Sequence, residues 1–256
     1  MKTKSYWKRD RGAADPFGLP KRIATGLESS MKRSSEEAPA DSPVRYIWIY
    51  VTEEGLQRGR RPSDADDFLD LDGWLNVIDE AGSLGAEWMV IHVGSSLSPV
   101  PYIWRLCDWA QSVHGLRVGL HVSNTCLSED DLENLGRLEA DKTYLLADKE
   151  DIDSLRFLEA SGVHVCEANV RADERAKYCT KPGTITCVGP DGQLFSCGLV
   201  MGDDQYLLGD SQGRRLCDVM SDDSLPHLVP NTNAFPQNGC DACPPLVAER
   251  ALEREV

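Results

Sequence analysis

The chain has 256 residues, of which 41% are hydrophobic and 27% are charged, so it can bury a core and full disorder is excluded. Its net charge of −15 argues against a nucleic-acid-binding protein, because the phosphates would be repelled. No apolar run approaches the ~20 residues that a membrane span needs, and residues 1–35 lack the apolar stretch of a secretory signal. We therefore expect a cytoplasmic protein that does not bind membranes.

The charge is unevenly distributed along the chain. Residues 1–35 contain nine Lys or Arg and three Asp or Glu, which gives this segment +6 and leaves −21 on the remainder. A basic segment interrupted by Ser, Gly and Pro is typical of chains that do not fold alone. The sequence therefore predicts a disordered basic N-terminal tail over residues 1–42.

Short apolar runs alternate with amphipathic stretches over residues 43–172. In chain order, the runs that predict strands are 45–52, 87–94, 116–123, 143–147 and 163–170. The spacing of apolar residues predicts helices over 71–84, 102–113, a stretch capped by Ser128, and 152–159. Asp131 is positioned to complete an imperfect capping box with Ser128.

This alternation sets the expected fold class. Strand and helix repetition is typical of α/β proteins with parallel strands joined by right-handed crossovers. Five strands are too few for a closed eight-stranded barrel, so we expect a shortened partial (β/α) barrel or an open sheet. In either fold the functional residues gather at the carboxyl ends of the strands.

The sequence becomes cysteine-rich in residues 173–256, where six of its nine cysteines lie. The Pro-Asp-Gly turn at 190–192 separates two short β-runs and predicts a hairpin. A reducing cytosol disfavours a disulfide framework, so metal binding is the favoured use of these cysteines. The C-x-x-C pair at 240–243 places two thiolates on one turn, and two more thiolates near the hairpin would complete a four-sulfur shell. The candidate ligands are Cys179, Cys197, Cys240 and Cys243.

The spacing of these four cysteines resembles a known module. Cys179, twelve residues, Gly192, four residues, Cys197 and the later C-x-x-C pair are similar to the auxiliary-cluster module of radical SAM enzymes, the SPASM or shorter twitch domain. The resemblance implies that the four cysteines hold one [4Fe–4S] cluster in a small Cys-rich α+β domain over residues 173–256. Zinc is the alternative, since four thiolates in a tetrahedral array also suit it. Cys187 and Cys217 lie outside the pattern and are interpreted as buried thiols.

The catalytic motif of radical SAM enzymes is missing. In that family C-x-x-x-C-x-x-C follows the first strand, and here Glu54, Arg58 and Arg61 occupy those positions. One carboxylate and two guanidinium groups cannot replace three thiolates. Of the family's GGEP motif only Gly94 remains, whereas residues 121–125 still resemble its TN element. The resemblance thus implies a degenerate radical-SAM-like partial barrel over residues 43–172, without the catalytic cluster.

The implied function is that of an iron–sulfur accessory protein. A four-thiolate cluster suits electron transfer or fold stabilisation, and we expect an accessory role in electron transfer or in substrate binding. The expected partner is an intact radical SAM enzyme or a redox protein in a cofactor or peptide modification pathway. Two alternatives stay open: an unusual radical SAM enzyme with a non-standard SAM site, and a zinc-stabilised interaction module. Whether the protein is an enzyme is not decided by the sequence.

Two other sites are conceivable at the carboxyl edge. A Cys, His and Glu set there could bind metal or supply a nucleophile and a base; its candidates are Cys126, Cys166, Glu167, Asn124, His121 and His92. An arginine-rich loop could bind an anion bidentately; it contains Glu54, Arg58, Arg60 and Arg61. Buried structural residues and a solvated loop are the favoured interpretations of these two sets.

Overall fold

A computed structural model gives the fold. It describes residues 44–52, 68–94, 100–122, 127–168, 178–179, 184–227, 229–230 and 243–254. The predicted basic tail lies outside these residues, as does the arginine-rich loop.

The first part of the described chain is a parallel sheet with crossover helices, as the alternating pattern predicts. Its elements are β1 (Tyr46–Tyr50), α1 (Leu71–Ser83), β2 (Trp88–His92), α2 (Ile103–His114), β3 (Arg117–His121), α3 (Glu129–Leu135), β4 (Thr143–Ala147), α4 (Ile152–Leu155) and β5 (His164–Glu167). The strands pair in the order β5-β4-β3-β2-β1, and every pair is parallel. The predicted helix over 152–159 is instead one α-helical turn followed by a 3-10 helix, Arg156–Ser161.

Local side-chain chemistry fixes where these helices begin. The Asp70 side chain accepts a hydrogen bond from the backbone N–H of Gly73 at 2.8 Å and so caps α1. Ser128 and Asp131 form the predicted capping box: Ser128 Oγ accepts from the Asp131 N–H at 3.2 Å, and Asp131 Oδ2 accepts from the Ser128 N–H at 2.9 Å. Each cap satisfies N–H groups that a helix start leaves unpaired.

The second part of the chain extends the same sheet. It contains β6 (Tyr178–Cys179), β7 (Ile185–Val188), β8 (Gln193–Phe195), β9 (Leu207–Asp210), α5 (Leu216–Met220), β10 (Val229–Pro230) and α6 (Pro244–Arg254). Strand β7 pairs with β1 in parallel, and β8 and β9 follow antiparallel, so one eight-stranded sheet runs β5-β4-β3-β2-β1-β7-β8-β9. Strands β6 and β10 form a separate antiparallel pair. The predicted hairpin is thus present as β7 and β8, and it continues the sheet.

The Pro-Asp-Gly turn closes that hairpin through its glycine. Gly192 has a φ of +82°, a left-handed conformation that favours glycine. The Gly189 N–H donates to the Gln193 carbonyl at 2.8 Å, and the Gly192 N–H donates to the Gly189 carbonyl at 3.0 Å. The turn therefore fixes the register in which β8 returns along β7.

The sheet has two buried faces with different coverings. The outer face packs against helices α1 to α5, and aliphatic residues such as Ile49, Ile91 and Leu120 fill this layer. The inner face carries Trp48, Trp88 and Tyr144 together with buried residues of β7, β8 and α6. Helix α6 covers β1 and β2 on this face, and its buried residues include Leu246, Val247, Ala248 and Ala251.

The helices of the described segments are all too short or too polar to cross a bilayer.

Candidate metal centre

Two predicted ligands, Cys197 and Cys243, lie on the inner face. Cys197 follows β8 and precedes a one-turn 3-10 helix, Gly198–Val200. Cys243 immediately precedes α6. The two residues are only 6% and 4% exposed and belong to the same packed cluster. The fold therefore brings two cysteines that are distant in sequence into one buried region.

Cys187 is a third cysteine in this region, and the sequence pattern leaves it out. It lies on β7, on the inner face, and is completely buried. The pKa of its thiol is raised well above the usual value, chiefly by burial and further by the nearby thiols of Cys197 and Cys243. Cys187 is thus buried as predicted, and it lies close enough to two predicted ligands to interact with them electrostatically.

Of the other two predicted ligands, the structure describes only the backbone of Cys179. The backbone of Cys179 lies on β6, opposite Val229 of β10. The side chain of Cys179 and all of Cys240 lie outside the described residues. Within the described ranges, no three His, Cys, Asp or Glu side chains are arranged to hold a metal ion. Cys217 lies elsewhere, on α5, where it is partly exposed and donates to Asp218 at 3.6 Å. The prediction of a buried thiol is wrong for Cys217, because the short helix α5 buries Leu216 and Val219 instead.

Gly198 allows the segment after Cys197 to approach β1 closely. A Cβ atom on Gly198 would lie 2.5 Å from Tyr50 Oη and 2.8 Å from two ring atoms of Trp48. Distances this short exclude any side chain unless the neighbouring aromatic rings move. The glycine therefore allows the Cys197 segment to lie against Trp48 and Tyr50, two of the inner-face aromatic residues of β1.

Trp48 has an unsatisfied polar atom in this layer. Its side chain is 1% exposed, and its indole Nε1–H has no hydrogen-bond partner among the described residues. In the strand register Trp48 lies opposite Cys187. A buried donor without an acceptor is rare and costs free energy, so this atom needs an explanation.

A histidine pair lies on the inner face at the carboxyl ends of the strands. The register places Tyr50, His92 and His121 side by side on β1, β2 and β3. His92 Nδ1 and His121 Nδ1 are 2.7 Å apart and form a hydrogen bond in which the N–H of one ring donates to the nitrogen of the other. The ring centroids of Tyr50 and His92 are 4.8 Å apart.

The inner histidine is held in its neutral form. The pKa of His121 is lowered to about 3, chiefly by burial and to a smaller extent by the nearby His92. Its Nε2 atom is buried and has no partner among the described residues. The hydrogen bond to His92 satisfies Nδ1 of His121 and leaves its Nε2 unsatisfied.

The alternative Cys, His and Glu set is brought together only in part. His92 and His121 meet, but Leu146 separates His121 from Cys166 in the strand register. Glu167 follows Cys166 on β5, so its side chain points to the opposite face of the sheet. Asn124 and Cys126 lie outside the described residues, as do Ser95, Ser96 and Leu97 of the degenerate GGEP position.

Comparisons with known proteins find similarity in structure alone. No protein-family model and no curated protein sequence matches the chain. The structure of BtrN in complex with AdoMet and 2-DOIA is similar, with a TM-score of 0.53 at 12% identity over 70% of this chain and 83% of BtrN. SuiB from Streptococcus suis has a TM-score of 0.45 at 11% identity over 83% of this chain and 73% of SuiB. Both neighbours are radical SAM enzymes. At this identity the likeness to BtrN concerns the fold alone: a mixed α/β fold with one eight-stranded sheet, consistent with a partial radical-SAM-type fold.

The sequence contains signals for where some of these residues lie in the fold. Side chains alternate along a strand, so Cys187 lies on the same face of β7 as Ile185. The predicted hairpin already includes both residues. His92 and His121 each lie two residues before the end of a predicted strand, 87–94 and 116–123, so pairing of these strands in parallel predicts that the two residues lie side by side. No local signal marks Trp48 as lacking an acceptor, because that depends on contacts between distant segments.

Proposed function

We propose that this protein binds one [4Fe–4S] cluster through Cys179, Cys197, Cys240 and Cys243, and serves as an iron–sulfur accessory protein derived from the radical SAM fold. The observation that carries the proposal is the approach of Cys197 and Cys243 within one buried, aromatic-lined layer. Thiolates in such a layer are poorly solvated, which is energetically unfavourable, and binding to a cationic metal centre compensates for the lost solvation.

The residues of this layer are compatible with a cluster. Soft thiolate donors suit iron–sulfur centres and zinc. The layer also contains the unpartnered Trp48 N–H, which is a hydrogen-bond donor, and Gly198, which permits a close backbone approach next to Cys197. With all four irons held by thiolates, a bound cluster would supply one-electron transfer or fold stabilisation.

The absence of radical SAM chemistry is part of the proposal. Glu54, Arg58 and Arg61 stand where three cysteine ligands of a catalytic cluster belong. The inner face of the sheet over β1 and β2 is covered by apolar residues of α6, which leaves less room there for a bound substrate or SAM. Both features support a role without SAM cleavage.

An accessory role requires a partner, which we propose to be a cytoplasmic protein: an intact radical SAM enzyme or a redox protein. The proposed domain division, with a degenerate partial barrel over 43–172 and a SPASM or twitch domain over 173–256, places the cluster in the second domain. Strand pairing between β1 and β7 joins the two segments into one sheet. We infer that cluster binding and the stability of the barrel segment are therefore coupled.

The test is the iron, sulfide and zinc content of anaerobically purified protein. We expect about four irons and four sulfides per chain. A Cys240→Ser/Cys243→Ser double variant should lose them, whereas the control variant Cys217→Ser should keep them because Cys217 lies on α5. One zinc per chain without iron would contradict the cluster and leave a zinc-stabilised interaction module.

A further inference from the structure

The unsatisfied donor next to the candidate metal centre is the indole N–H of Trp48. Tryptophan offers one donor and no acceptor, so only an acceptor can satisfy this atom. Trp48 is 1% exposed, and none of the described residues accepts from it. Trp88 and Tyr144 lie on the same face without an unsatisfied buried polar atom of this kind.

The position of Trp48 brings it near three buried cysteines of the inner face. It lies opposite Cys187 in the register of β1 and β7. The Cζ3 and Cη2 atoms of its six-membered ring would lie 2.8 Å from a Cβ atom at Gly198, the residue after Cys197. Helix α6, which begins directly after Cys243, covers β1. An acceptor bound among these cysteines would therefore lie beside the indole ring.

A cluster bound there would bring acceptors of the required kind. Thiolate and inorganic sulfide sulfurs carry negative charge and accept hydrogen bonds, and the reduction potential of a cluster depends on the donors around its sulfurs. Reduction adds one electron to the cluster, so a donor stabilises the reduced state more than the oxidised state.

We propose that the Trp48 Nε1–H donates a hydrogen bond to a sulfur of the cluster bound at the candidate metal centre and thereby raises the cluster's reduction potential. This inference rests on the proposed function. It makes Trp48 a residue that tunes the cluster without ligating it.

The test compares three full-length proteins loaded with the cluster: wild type, Trp48→Phe and Trp88→Phe. Phenylalanine keeps an aromatic ring and removes the N–H. We expect Trp48→Phe to retain wild-type iron and sulfide content but to be reduced at a more negative potential in an EPR-monitored redox titration. The Trp88→Phe control, on the same face, should titrate like wild type.

Two results would overturn this inference, and they differ from a failure of the proposed function. A Trp48→Phe protein with full iron content and an unchanged potential contradicts the hydrogen bond alone. A wild-type protein without iron contradicts the cluster itself, and the inference with it.

A second measurement covers the case in which Trp48→Phe does not hold the cluster. Wild-type protein with isotopically labelled indole nitrogen is reduced, and pulsed EPR records the coupling between that nitrogen and the cluster electron. A resolved coupling that persists in Trp88→Phe supports the hydrogen bond. The absence of any indole coupling in the reduced wild-type cluster overturns it.

Discussion

The outer and inner faces of the one large sheet differ in what they bury. The outer face is aliphatic and is covered by the helices that cross between its strands. The inner face contains four buried cysteines, the histidine pair and the aromatic residues of β1. In the described part of the chain, four buried side-chain polar atoms have no partner, and two of them, Trp48 Nε1 and His121 Nε2, lie on that face. From this difference we expect the outer face to contribute mainly to stability and the inner face to carry the proposed binding site.

Truncating a large side chain in the core of the outer face should have the largest effect on stability and should not change which metal the protein binds. Trp74 on α1 is 1% exposed. Trp74→Ala should lower the free energy of unfolding by about 3–5 kcal/mol, because it removes a large buried ring and leaves a cavity. Urea unfolding measures this. A loss below about 1 kcal/mol would show that the outer face is not the main core.

The inner face should instead be sensitive to added volume. Gly198→Ala should lower the free energy of unfolding by up to about 3 kcal/mol, because the new methyl group meets Tyr50 and Trp48 at 2.5 and 2.8 Å. The matched control is Gly213→Ala, where the nearest atom is 3.9 Å away, and it should be nearly neutral. Equal stability of the two variants would argue against the close approach of the Cys197 segment to β1.

The histidine pair should make stability depend on pH. The folded pKa of His121 is about 3 and its ordinary value is 6.5, so between these values the unfolded chain binds the additional proton. Stability from this residue is full above pH 6.5 and decreases as the pH falls. At pH 5 the loss should be about 2 kcal/mol, from 1.4 kcal/mol per pH unit.

The measurement is denaturant unfolding at pH 7 and pH 5 for wild type and His121→Gln. Glutamine can still accept or donate a hydrogen bond but does not titrate, so its stability should change less between the two pH values. Identical pH dependence of the two proteins would mean that His121 is not buried beside His92.

The smallest expected effect concerns the outer helices. Ser128→Ala removes the capping box at α3 and should lower the free energy of unfolding by about 1 kcal/mol, with unchanged iron content. Thermal unfolding and metal analysis of the same sample check both quantities. A change in iron content would link α3 to the metal centre, contrary to the separation of the two faces.

The sequence predicts the parallel strands well because each carries its own local signal. Apolar runs between amphipathic segments locate β1 to β5, and the Pro-Asp-Gly turn locates β7 and β8. The pairing of β7 with β1 could not be predicted, because parallel pairing of strands that are distant in sequence has no local code. Strand β9 and helices α5 and α6 were also not predicted. Helix α6 begins with Pro244, a residue favoured at the first helical position.

The candidate site was predictable only as a set of ligand types. The spacing of the cysteines indicates a thiolate site, whereas the proximity of Cys187 and Trp48 arises from the β1–β7 pairing. The likeness of the fold to BtrN agrees with the sequence resemblance for the partial barrel. The ligand set itself remains a prediction, because Cys240 and the Cys179 side chain lie outside the described residues.

The most direct test of a retained auxiliary cluster without a catalytic one is EPR of the dithionite-reduced protein, with and without added SAM. The account predicts one reduced-cluster signal that SAM leaves unchanged, because a cluster held by four thiolates has no open iron for SAM. A second signal, or a signal that changes when SAM is added, would contradict the account and indicate a catalytic cluster.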